Sequence, residues 1–114
     1  MAEQLLAIDE LDHSAQTTAV TDFAKFYIGL WQQSNLELIS TYDHQHGYID
    51  NINHELTLNQ SFTPEERLTT SVNFNSDDYR QLLHEIGLRF YTNGHSEIPW
   101  SGWYQQQFAQ LATA

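Results

Sequence analysis

Between Ser14 and Ser34 apolar side chains return every three or four residues, at Val20, Phe23, Ala24, Tyr27, Leu30 and Trp31, which is the period of an amphipathic helix. Thr and Asp residues ahead of the stripe supply an N-terminal signal. A stripe this rich in rings is a core face, so the rest of the chain has to cover it.

After Asn35 the period changes. Leu36, Leu38, Ser40 and Tyr42 alternate with Glu37, Ile39 and Thr41; Leu56, Leu58 and Phe62 fall at even spacing; Leu68, Thr70, Val72 and Phe74 do so again beside Thr69. Even spacing belongs to half-buried strands and predicts three or four antiparallel strands between residues 36 and 75. His44-Gln45-His46-Gly47 breaks the first run, and Thr63-Pro64-Glu65-Glu66 reads as a turn in which proline presets φ. Ser76-Asp77-Asp78 then opens a helix with carboxylates in its first turn. Tyr79, Leu82, Leu83, Ile86, Leu88, Phe90 and Tyr91 carry that helix to a stop at Asn93-Gly94. Pro99 precedes a last helix with a stripe of Trp100, Trp103, Tyr104, Phe108 and Leu111. The expected fold is α+β: an N-terminal helix, a three- to four-stranded antiparallel sheet and two C-terminal helices. Residues 1–13, where Leu5, Leu6, Ile8 and Leu11 suit a short helix and Asp9, Glu10 and Asp12 form a solvated cluster, read as an acidic N-terminal arm, and residues 14–114 as a single α+β domain.

The 114 residues carry fifteen acidic side chains against four basic ones, a net charge of −11, yet 40% of the chain is apolar and 13% aromatic. That is too hydrophobic for a disordered acidic tail, so the charge belongs to a folded surface. An excess of this size suits docking or steering and selects a partner of positive sign. It argues against direct contact with nucleic acid or anionic membranes, both of which demand Lys and Arg. Residues 1–62 hold nine acids and one lysine, residues 63–114 six acids and three arginines, so the N-terminal half is the more negative. No cysteine is present, which excludes disulfides, thiolate metal ligation and cysteine nucleophiles and suits a reducing cytoplasm. Met1-Ala2-Glu3-Gln4 has no secretory character, and no apolar run approaches the length of a membrane span.

Motifs for chemistry are sparse. His44 and His46, with Asp43, Asp50, His54 and Glu55 nearby, offer nitrogen and carboxylate donors of the kind that zinc, nickel or iron accept. The His46-to-Asp50 spacing resembles a fragment of the hemerythrin pattern, but the further paired histidines of such a site are missing. The polar, glycine-containing segment reads as a solvated hairpin, and no metal or other cofactor is expected. Glu65-Glu66 and Asp77-Asp78 read as capping and solvated pairs; His13, His84 and His95 stand at no nucleophile motif, and no G-x-G-x-x-G, P-loop or EF-hand loop occurs.

The expectation is therefore a cytoplasmic, non-enzymatic acidic module that masks a basic surface of a partner protein, such as a toxin, nuclease or nucleic-acid-binding protein, as an immunity protein, antitoxin or nucleic-acid mimic would. Its candidate contacts are Glu3, Asp9, Glu10, Asp12, Glu37, Asp43 and Asp50, with Trp100 and Trp103 as apolar anchors. The alternatives are a small metal-dependent or ligand-binding domain using His44 and His46, or a secretion-type chaperone. Homodimer formation is left open.

Overall fold

In the computed structural model, which describes residues 4–43 and 46–113, a short 3-10 turn (Ile8–Glu10) precedes five α-helices: α1 His13–Gln32, α2 Glu37–Ser40, α3 Tyr48–Leu58, α4 Pro64–Ile86 and α5 Trp100–Thr113. The described residues contain no strand or sheet, only two isolated antiparallel bridges, Leu6 with Phe90 and Phe90 with Ser96. The α+β expectation is thus corrected to an all-helical fold.

α1 lies where its spacing placed it. Asp12 caps it, Oδ1 accepting from the Ala15 N–H at 2.8 Å. Ala15, Ala19, Phe23, Ala24 and Tyr27 are all buried, the alanines allowing close approach and the rings filling the space beyond. Phe23 is the hub, its ring centroid 4.8 Å from Trp100, 6.0 Å from Tyr79 and 6.2 Å from Tyr27. Tyr27 and Tyr79 meet edge-on at 5.6 Å and 83°, a favoured aromatic geometry. α4 runs antiparallel to α1, because Leu68 shares a groove with Ile28 while Arg80 shares another with Gln16 and Val20.

The predicted third strand fails for a definite reason. Leu68, Val72, Tyr79, Leu82, Leu83 and Ile86 follow helical spacing, but the two positions that complete the stripe, Ser71 and Asn75, are polar and nevertheless buried. Counting only apolar residues therefore picked out Leu68, Val72 and Phe74 as one face, whereas Phe74 is 71% exposed. The expected turn at Thr63-Pro64-Glu65-Glu66 is a helix start: the Thr63 hydroxyl accepts from the Glu66 N–H at 3.2 Å, Glu66 Oε1 accepts from the Thr63 N–H at 3.1 Å, and Pro64 takes the first helical position. The helix start expected at Ser76 falls inside α4, where Asn75 leaves helical dihedrals (φ −117°, ψ 24°) and its Nδ2 donates to Asp78 Oδ2 at 3.0 Å. The signal marks a kink, not an end.

The other two strand readings are also replaced by helix. In α2 the adjacent Leu38 and Ile39 are both buried, which alternation forbids and a helical turn permits. Of Leu56, Leu58 and Phe62 only Leu56 is buried, packed as part of α3. α4 ends before the expected Asn93-Gly94 stop, because Gly87 adopts the left-handed C-cap conformation with its N–H on the Leu83 carbonyl at 3.0 Å. Gly94 serves a different purpose: it has φ +92°, and a β-carbon there would collide with the Ala15 carbonyl. Near the N-terminus, Leu6 and Phe90 exchange two backbone hydrogen bonds of 2.8 Å, and Ile8 and Leu11 are buried in the same core.

Phe23 has three ring partners, so Phe23→Ala should cost about 3–5 kcal/mol in equilibrium urea unfolding, whereas Phe74→Ala should change stability by less than about 0.5 kcal/mol. Comparable losses at the two positions would contradict this packing.

Candidate partner-binding surface

The buried hydroxyls of the aromatic core determine how the outer helices dock. Tyr27 Oη donates to Asn53 Oδ1 of α3 at 2.7 Å, and Tyr79 Oη lies 2.6 Å from Ser71 Oγ one helical stretch earlier in α4. Leaving either hydroxyl buried without a partner would cost about 1–3 kcal/mol. On the outside, Asn51 Nδ2 donates to Asp78 Oδ1 at 3.2 Å, so Asp78 accepts from both Asn51 and Asn75 and ties α3 to the kink of α4.

Acids from three segments converge at this seam. Burial pushes the Tyr27 hydroxyl well above its ordinary value, and neighbouring Tyr79 with the charges of Asp43, Asp50 and Asp78 pushes it further. Asp43 precedes α3, Asp50 sits in its first turn and Asp78 lies on α4. Phe74 stands four residues ahead of Asp78, largely exposed, and Leu58 at the end of α3 is 64% exposed. Carboxylates beside an exposed ring can meet cationic side chains while desolvating an apolar centre.

The carboxylates named from sequence have mixed employment. Asp43 receives the N–H groups of Gly47 and Tyr48 at 3.3 and 2.9 Å, Asp12 caps α1, and Glu10 Oε1 accepts from the Ala7 N–H at 2.8 Å. Asp9 Oδ2 lies 2.9 Å from His84 Nδ1. Glu37 and Asp50 are exposed and have no ion-pair partner among the described residues. Glu3 lies outside the described residues. Trp100 and Trp103, named as apolar anchors, are buried at 7% and 4% exposure and pack against the aromatic face of α1, while the large apolar side chains exposed among the described residues are Leu58, Phe62, Phe74 and Phe108. A helical wheel over residues 64–86 would have flagged Phe74 on the polar face.

Neutralisation within the chain is slight. Arg80 Nη2 pairs with Asp77 Oδ1 at 2.9 Å, and His84–Asp9 and His95–Asp22 are further contacts between basic and acidic side chains, but four Lys and Arg cannot offset fifteen acids. No three His, Asp or Glu side chains among the described residues are grouped to hold a metal ion. His46 tilts over Tyr48 at 5.2 Å, and its predicted partner His44 lies outside the described residues. No described helix is long and apolar enough to cross a membrane. No family model matches the chain, and comparisons with curated proteins and with solved structures give no match either.

The tyrosines predict an alkaline limit. Burial also raises Tyr79, against the opposing hydrogen bond of Ser71. Both groups hold their protons more tightly folded than unfolded, so their contribution is complete below the ordinary tyrosine value of 10.0 and falls as pH rises through and beyond it. Phenolate absorbance should show two of the six tyrosines ionising only as helicity is lost; six that titrate freely in folded protein would contradict the buried pair.

Proposed function

We propose that this protein is an acidic binding module that docks a basic surface of a partner protein, with the α3–α4 seam as its contact face and the cytoplasm as its compartment. The observation that supports it is the gathering of Asp43, Asp50 and Asp78 where the first turn of α3 meets α4, with the exposed Phe74 four residues before Asp78 on α4, in a chain of fifteen acids and four bases. Asp50 and its neighbours attract Lys and Arg at long range and set the on-rate, while Phe74 supplies a contact that excludes water and slows dissociation. Masking a nuclease or other nucleic-acid-binding protein is the form of this activity that fits best, because carboxylates then occupy the cationic surface that phosphate would occupy.

The test uses a partner recovered by pull-down and measured by biolayer interferometry at rising salt. Affinity should fall steeply between about 50 and 300 mM salt, mostly through the association rate, since exposed charges are screened beyond about 8 Å at physiological ionic strength. Asp50→Asn should flatten that dependence, and Phe74→Ala should raise the dissociation rate by about tenfold, or 1.4 kcal/mol, without lowering Tm. An acidic partner, or an affinity indifferent to salt, would sink the proposal.

A further inference from the structure

Two of the four basic residues in this acidic chain, Lys25 and Arg67, border one groove, a cavity of about 290 Å³ between the C-terminal half of α1 and the first turns of α4. Ile28 and Leu68 contribute apolar walls, and Glu65 at the margin makes no ion pair with either cation. The volume is at the small end of ligand pockets, which span roughly 300–1,000 Å³. Arg67 is held in place, its Nη2 donating to the carbonyls of Gln60 and Phe62 at 3.0 and 3.2 Å.

Gly29 is the second, independent observation. A glycine inside a helix is less favourable than alanine, and it is usually retained for a positive φ or for close packing. Gly29 has neither reason: it sits within α1 without positive φ, and a β-carbon added there would meet nothing within 4 Å. It does line the groove, half-buried. A missing side chain over open space next to two cations widens the trough for something from outside the chain.

We infer that this groove binds a small carboxylate with an apolar body, of the class of medium-chain aliphatic carboxylates. The hydrocarbon lies along Gly29 between Ile28 and Leu68, and the carboxylate meets Lys25 and the guanidinium of Arg67 in a charge-assisted contact. The site is separate from the acidic seam and stands or falls independently of it.

Sodium octanoate is a suitable probe, with octanamide as its uncharged counterpart and acetate as the headgroup alone. In a ¹⁵N–¹H NMR titration of the whole chain, octanoate should produce saturable shifts at residues 25–32 and 64–68 with Kd on the order of 1 mM. Octanamide and acetate should each bind at least about tenfold more weakly. Lys25→Gln, at an exposed position that disturbs no described hydrogen bond, should weaken octanoate about fivefold and leave octanamide unchanged. Gly29→Ala should raise Tm while weakening octanoate, and Gly29→Leu should abolish the shifts. Equal binding of octanoate and octanamide, shifts that map elsewhere or do not saturate, or undiminished binding to Gly29→Leu would each overturn the assignment.

Discussion

The contact of Phe23 and Tyr27 on α1 with Tyr79 on α4 is the constraint to which the other packing decisions answer. Rings of this size stabilise the core strongly when buried, but two of them bring hydroxyls that water no longer reaches. Each hydroxyl has to be met from inside. Ser71 meets Tyr79 along α4 itself, which explains a polar residue at a core position of that helix. Asn53 meets Tyr27 from α3, which fixes where α3 lies across the α1–α4 pair. The kink at Asn75 and the Asn51–Asp78 bond continue the same seam outward.

Because α3 is held by polar contacts at its inner and outer edges, the acids near it arrive as a group. Asp43 is committed to the start of α3 through two backbone N–H groups, and Asp78 to the α3–α4 junction through two asparagines. Their charge is thus structural and outward-acting at once, whereas Asp50 is exposed beside them and has no ion-pair partner among the described residues. Mutual repulsion among such groups opposes compactness. The aromatic core and the helix caps offset it.

Between the C-terminal half of α1 and the start of α4 the balance reverses locally. Lys25 and Arg67 border a trough with hydrocarbon walls, and Arg67 is anchored by loop carbonyls instead of by a carboxylate. A cation that is positioned but not neutralised keeps most of its field for a ligand. The molecule therefore presents surfaces of opposite preference from one small core, one where α3 meets α4 and one between α1 and the first turns of α4.

How much of this was legible in the residues can be judged element by element. α1 and α5 were readable because their stripes are apolar throughout, so helical spacing stood out at Val20 to Trp31 and Trp100 to Phe108. α4 was misread because Ser71 and Asn75 interrupt its stripe, and their burial makes sense only with the Tyr79 hydroxyl present to share a hydrogen bond with Ser71 and Asp78 to accept from the Asn75 amide. The net charge was plain from composition; which acids gather was not, since Asp43, Asp50 and Asp78 come from separate segments and meet only after α3 packs on α4. The tryptophans illustrate the same division. Sequence alone determined that large rings and a strong negative charge must coexist in one folded chain. Only the tertiary structure decided that Trp100 and Trp103 go inward and Phe74 outward, because a side chain's exposure depends on what the neighbouring helices cover, and that is a property of the packed whole.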